Sequence, residues 1–353
     1  MKKWVMIFFL AATLTLSARA AEVPKELQNA LPEGAEEFMI EEVSGAESFA
    51  SGIAAILEGV LEKGKGVLQA QMRGAAPILL VVVLCAAVEG LGGRAVTFLP
   101  MAGGLAVTML TAGSLDELIG LGASTIEELN TFSNVLLPTL AAATAVSGSA
   151  VSASMQQVTT VFLVSLLVSL INGFLMPLVY LYIGVLAAGS CLQESRLAAI
   201  AEGVKKVITW TLTTALLLFT IYLSVSKVLT GATDAAAVKD TKAAISGLVP
   251  VVGGIISEAA ETVLAGAGLL KNTIGVFGML AILSLCAWPF LQLGVQYLLY
   301  KGTAFLSAAV GAQWLCKLIN GLGGAFGLVL GMTGSCAVLL LVSVLSFVAA
   351  VAS

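Results

Sequence analysis

The chain contains no histidine. That excludes Ser-His-Asp and Cys-His catalysis and every histidine-containing metal site. Charge is scarce as well. Asp, Glu, Lys and Arg make up 11% of the residues, and apolar types make up 59%. A soluble domain is nearer roughly 25% charged, so the composition is that of an integral membrane protein. Cysteine is sparse and odd in number: Cys85, Cys191, Cys286, Cys316 and Cys336 lie in or beside apolar segments, with no CxxC pair. They read as small buried hydrophobes. The acidic segment before the first span has no cysteine, so no disulfide framework is implied there. No GxxxxGK[ST] phosphate loop occurs, and any energy must come from a partner. Intramembrane aspartyl proteolysis needs two buried aspartates, whereas Asp234 and Asp240 sit in a polar stretch. No basic patch points to nucleic acid. These gaps leave no enzyme constellation, no cofactor and no metal site to expect.

What is present begins with an export signal. Lys2 and Lys3 precede an apolar run at 5–16, and Ala18-Arg19-Ala20 fits a small-x-small cleavage site. The run is short for a span, which needs about twenty residues. Cleavage after Ala20 is the preferred reading, with an uncleaved anchor as the alternative. Residues 22–75 carry ten acids and four bases, a net of −6. Residues 22–45, with Pro24, Pro32 and Gly34, read as a loose exported leader. At 49–61, Phe49, Ile53, Ile56, Leu57, Val60 and Leu61 recur at helical spacing, with Glu58 and Glu62 opposite. That is a short amphipathic helix, docked on a partner, the membrane face or the chain's own membrane domain.

The expected organisation is therefore a signal peptide at 1–20, an exported acidic segment at 21–74 and a helical membrane domain at 75–353. The fold class is all-α and polytopic, with seven to nine transmembrane helices. The first two spans read as 75–88 and 95–113, a hairpin turned at Gly92-Gly93-Arg94. Arg94 then faces the cytoplasm by the positive-inside rule. Residues 129–193 hold no charge at all. Asn172, Gly173 and Pro177 interrupt that stretch, which divides into 135–146, 158–171 and 174–189. Two readings stay open for these three residues. They break a helix and free backbone groups toward a cavity, as in transporters, or they kink one long tilted helix. The charged loop 193–206 belongs in the cytoplasm. Residues 207–226 are a span, followed by a polar inter-span region at 231–272 on the exported side. Residues 273–300 span with Gln292 and Gln296 four apart on one face, and Lys301 marks the cytoplasmic end. Segments 303–318 and 325–352 close the chain, with Gly321, Gly323, Gly324, Gly327, Gly331 and Gly334 suited to close helix packing.

Residues 250–272 read PVVGGIISEAAETVLAGAGLLKN between two strongly apolar segments. Glu258, Glu261 and Thr262 fall on one side of a helix, and Ile256, Ala259, Ala260, Val263, Ala267 and Leu270 on the other. A carboxylate at a bilayer centre costs roughly 2.5–3.5 kcal/mol, so this stretch is not an ordinary span. It lies at the interface, re-enters against protein, or lines a wet cavity. Pro250, Gly253, Glu258, Glu261, Thr262, Lys271 and Asn272 are the candidates to face a partner or cavity. The bland alternative is an interfacial helix with solvated charges and a snorkelling lysine.

The strings Pro250-Val251-Val252-Gly253, Ser257-Glu258-Ala259, Glu261-Thr262-Val263-Leu264 and Leu269-Leu270-Lys271-Asn272 resemble the stage III sporulation protein AE family. The resemblance extends more weakly from about Leu129 to the C-terminus, and before that only in plan. The residues after Lys301 depart from the family's Pro- and Gly-rich pattern by lacking Pro. The resemblance implies a membrane subunit of a secretion-like channel complex between mother cell and forespore, needed for late forespore gene expression after engulfment. It places the chain in the mother-cell-derived membrane around the forespore. Its implied partners are a cytoplasmic ATPase, small membrane subunits, ring-forming exported proteins and a membrane insertase. From the residues alone, a stand-alone small-molecule permease and a scaffold that moves nothing remain as alternatives. Glu89 is the nearest candidate for a charge inside a span, a span-end position being the other reading.

Overall fold

Inside hydrocarbon a backbone must satisfy its own hydrogen bonds, so a long uncharged run of Leu, Val and Ala becomes helix. The computed structural model describes residues 23–31, 46–91, 98–146, 150–192, 195–248 and 253–349. Within these, side chains are described outside 46–48, 91, 150–153, 156, 195, 223–248, 253–267 and 349. The signal segment, the Gly92-Gly93-Arg94 turn, the Ser147-Gly148-Ser149 stretch and Pro250 lie outside the described residues.

The helices are α1 (Lys25–Asn29), α2 (Ala46–Leu91), α3 (Leu99–Val146), α4 (Ala150–Leu170), a π-turn (Ile171–Leu175), α5 (Met176–Leu192), α6 (Ser195–Leu248), α7 (Gly253–Ala309) and α8 (Gln313–Ala349). Among the described residues there is no strand. Among the described residues, six stretches are long and apolar enough to cross a membrane: Phe49–Gly90, Leu99–Val146, Gln157–Leu192, Arg196–Tyr222, Gly268–Ala309 and Gln313–Val348. The expectation from sequence was seven to nine. The difference arises because segments read as separate spans share one apolar stretch: 158–171 and 174–189 both fall in Gln157–Leu192, and 303–318 is divided between α7 and α8. The amphipathic stretch at 49–61 and the span at 75–88 are both α2. The segments 95–113 and 135–146 are both α3. Residues 207–226 and 231–247 share α6, and residues from Gly253 through the expected span at 273–300 share α7.

α2, α3, α6 and α7 run 46, 48, 54 and 57 residues. At 1.5 Å per residue these are about 70–85 Å long, more than twice the ~30 Å of a hydrocarbon core. Each therefore carries apolar and polar turns at different depths.

The last boundary also moves. The helix does not stop before the glycines at 321–324. It stops at Gly311, whose φ of +102° is the left-handed conformation that favours glycine at a helix C-terminus. α7 and α8 thus form an antiparallel hairpin. α8's glycines then seat on neighbouring helices. A Cβ at Gly323 would stand 2.9 Å from Tyr300 Cβ, one at Gly327 3.1 Å from the Tyr297 ring, and one at Gly321 2.7 Å from Leu186. Gly331 meets nothing within 4 Å. On α3 and α7, a Cβ at Gly122 would collide with Val329, and one at Gly275 with Val348. This hairpin is the centre of the core, with Phe326, Val329, Leu340, Val344 and Phe347 fully buried.

α2 runs parallel to α7 and packs its Phe49, Ile53, Ile56 and Val60 face on Val276, Leu280, Leu283 and Ala287. So the amphipathic stretch docks on the chain's own membrane domain. The acidic leader also has an anchor. Leu27 of α1 is 0% exposed in the main core, with Val23, Ala30 and Leu31 packed around it. Of the cysteines, Cys85, Cys286 and Cys336 are buried, and Cys191 and Cys316 are partly exposed.

Candidate functional site

Lys63, Gly66, Val67, Ala70, Gln71 and Gly74 recur at spacings of three and four, so they share one face of α2. That face opens a cleft of about 540 Å³ against Ser114, Glu117 and Leu118 of α3 and Trp288, Gln292 and Gln296 of α7. Gln71 Nε2 donates to the Gln292 backbone carbonyl at 3.1 Å, which ties α2 to α7. Lys63 Nζ lies 5.8 Å from the centre of the Trp288 ring, within cation–π range. Gln296 is 6% exposed, and its side chain hydrogen-bonds the Tyr300 hydroxyl one turn on.

Two acceptors are left over. Gln71 Oε1 and Gln296 Oε1 are buried, with no hydrogen-bond partner among the described residues. An unpaired buried acceptor costs about 1–3 kcal/mol. Gln71 and Gln296 line the cleft beside Ser114 and Glu117, and a donor that reached either oxygen, water or the polar group of a solute or partner, would satisfy it. Sequence spacing pointed to Gln292 and Gln296. It missed Gln71, Ser114 and Glu117, which reach the cleft from helices distant in the chain. The one available signal was the i, i+4, i+8 row Lys63, Val67, Gln71 on α2.

A second polar seam joins α3 to the α4–α5 rod. Asn172 Nδ2 donates to Glu127 Oε2 at 3.3 Å, and Tyr180 Oη donates to Asp116 Oδ1 at 3.2 Å. Asn172 Oδ1 is buried with no hydrogen-bond partner among the described residues. Asn172 and Gly173 lie in the π-turn, and Pro177 follows in α5. The geometry has a cause. Pro177 has no N–H to give to the carbonyl of Gly173 and crowds it. The wider π register, with Met176 N bonded to Ile171 O, absorbs that crowding without ending the helix. These three residues therefore sit in a distorted but continuous rod.

The stretch at 250–272 is divided. Gly253, Glu258, Glu261 and Thr262 lie on the N-terminal arm of α7, and their side chains are outside the described set. Lys271 is 2% exposed, and its Nζ donates to the Val348 carbonyl at 2.8 Å. It is a buried cation on the last turns of α8, where free carbonyls and the helix dipole favour positive charge. Asn272 is exposed, and so is Glu89 at the C-terminal end of α2. The helix ends with the basic residues gather at one end of the bundle. Cβ positions at Gly103 and Gly104 of α3 would meet Cys85 of α2, Cys191 of α5 and Trp314 of α8. The 91–99, 192–195 and 309–313 connections thus share a side.

No solved structure matches this chain. A curated relative, "Stage III sporulation protein AE" of Bacillus subtilis (strain 168), is 25% identical over 207 residues, which is 59% of this chain. The matched segment spans 52% of that relative, about half its length. The profile of the family described as Stage III sporulation protein AE (spore_III_AE) matches residues 39–351. The match takes in α2 and α3, so it reaches well before the region whose residues first carried the resemblance. With nearly the whole chain covered, from the start of α2 to the end of α8, the protein belongs to the stage III sporulation protein AE family.

Proposed function

We propose that this chain is a multi-pass membrane subunit of the secretion-like channel assembly between mother cell and forespore, required for late forespore gene expression after engulfment. Family membership over residues 39–351 carries the reading. The chain acts without catalysis of its own, and energy comes from a partner ATPase. Small membrane subunits, ring-forming exported proteins and a membrane insertase complete the proposed partner set. Its place is the mother-cell-derived membrane around the forespore. Six alternating crossings support an orientation in which the 192–195 and 309–313 connections face the cytoplasm, with Arg196, Lys205, Lys206, Lys301 and Lys317 nearby. The same count sends the 231–272 region outward, where assembled partners are reached.

The α2–α3–α7 cleft favours a conduit over an inert scaffold. A platform gains nothing from two buried acceptors without partners, whereas a passage or a polar docking slot uses them. The test is deletion of the gene in its spore-forming host, with engulfment followed by membrane dye beside a late forespore reporter. Normal engulfment with a silent reporter and collapsing forespores is expected. Unaffected spores would reject the reading and leave a general permease in its place.

A further inference from the structure

A second pocket lies away from the cleft, between α6, α7 and α8. It has a volume of about 300 Å³ and is lined by Lys205, Tyr297, Lys301, Gly324, Gly327, Leu328 and Leu330. Its chemistry is cationic. Lys301 Nζ donates to Asn320 Oδ1 at 2.6 Å and lies 5.4 Å from the centre of the Tyr297 ring. Lys205 reaches over from α6, its Nζ 4.0 Å from where a Cβ at Gly324 would stand. The two ammonium groups are close enough to repel one another, and the exposed Glu202 is the carboxylate within electrostatic reach of them. The floor is kept open by glycine. A Cβ at Gly324 would come within 3.0 Å of the Tyr182 hydroxyl, which already donates to the Gly321 carbonyl at 3.0 Å.

Two like charges converge from different helices on an open, glycine-floored hollow, and the exposed Glu202 offsets only part of their repulsion. A single negative oxygen pair bridging them turns a repulsion into two charge-assisted contacts. Lys ammonium groups bind phosphate as point charges. The remaining wall is apolar: Leu328 and Leu330 flank the hollow. Basic pockets between spanning helices on the cytoplasmic side are suited to acidic headgroups. We propose that Lys205 and Lys301 form a phosphate-binding pocket that seats the headgroup of an anionic phospholipid. Free inorganic phosphate shares that chemistry and is the other possible source.

The experiment uses the full-length protein, delipidated in detergent and returned to nanodiscs of phosphatidylglycerol or of phosphatidylcholine. Retained lipid is counted by native mass spectrometry, and affinity is taken from thermal protection by added phosphatidylglycerol. The wild type should retain anionic lipid and be protected by it. Removing both charges in K205Q/K301Q should weaken binding roughly thirty-fold, and either single change about five-fold, at about one lysine contact's worth each. K205R/K301R keeps the charges and should keep binding, which separates charge from folding. If the double glutamine variant fails to fold, the single variants carry the measurement. Should inorganic phosphate protect phosphatidylcholine nanodiscs in a manner lost in K205Q/K301Q, the phosphate site stands and its occupant is the free ion. Equal binding of phosphatidylglycerol by wild type and the glutamine variants, with no phosphate effect, overturns the proposal.

Discussion

The α7–α8 hairpin and the outer helix α6 differ in apolar character, with mean hydropathies of 2.1 and 2.4 against 1.4, and they are buried very differently. Within their most apolar windows, 61% of residues in each hairpin helix are buried, against 17% in α6. Hydropathy alone does not set burial, since Gln157–Leu192 matches the hairpin at 2.2 yet is 33% buried. Small residues do. α8 brings Gly321, Gly323, Gly324 and Gly327 against side chains of other helices, whereas Gly203 of α6 meets nothing within 4 Å. In lipid there is little hydrophobic drive between helices, so close approach through small residues decides which helices become the core. The exposed face of α6, with Trp210, Leu217, Leu218 and Ile221, is left for lipid or another subunit.

The sharpest way to break that contrast is to add the same bulk in both places. Gly122→Leu and Gly275→Leu force a side chain onto Val329 and Val348. Overpacking of this kind costs about 1–3 kcal/mol or more, and folded yield with melting temperature should fall sharply. Gly203→Leu should leave both unchanged. Equal damage at all three positions would mean that glycine contacts do not define the core.

Next in size is the lysine that closes the hairpin's far end. Lys271→Met removes a buried charge-assisted hydrogen bond to Val348, worth about 1.5–3 kcal/mol. Hydrogen exchange should quicken in the last turns of α8 while α6 keeps its protection. Lys271→Arg should restore much of it. Uniform exchange across the bundle would show that the contact is incidental.

The cleft residues should move function more than stability. Gln71→Leu with Gln296→Leu deletes two unpaired oxygens and a few neutral hydrogen bonds. These effects are each of order 1 kcal/mol and opposite in sign, so stability should change by less than about 1 kcal/mol. The late forespore reporter should nevertheless be silenced. A functional double variant would return the cleft to mere imperfect packing and favour the scaffold.

These contrasts show what was readable from the chain. Helix content and membrane character were legible, because long uncharged runs admit little else. Boundaries were not. Gly64 and Gly66 cost a helix only about 1 kcal/mol each, and docking of Ile56 and Val60 on α7 outweighs that. At Asn172 and Pro177 a break and a kink were both open, and a π-turn carries the chain through. In the cleft, Gln292 and Gln296 showed their shared face through a spacing of four. Gln71 and Glu117 stayed hidden, because their convergence belongs to the packing of three helices and to no local pattern.

The smallest effect on folding should come from the arm of α7 that precedes the buried hairpin. Glu258 and Glu261 lie on that arm, about ten or more residues before Lys271 joins the core. If the arm serves partners, Glu258→Ala with Glu261→Ala should leave melting temperature within the roughly 0.5 kcal/mol range of ordinary surface changes. Recovery of the sibling sporulation proteins on affinity-tagged protein from sporulating cells then tells the roles apart. Lost recovery with normal membrane insertion makes the carboxylates an assembly surface. Retained assembly with a silent reporter makes them part of the passage. Retained assembly with an active reporter leaves them as solvated charges, and the comparison between core hairpin and outer surfaces then carries no function at this end of the molecule.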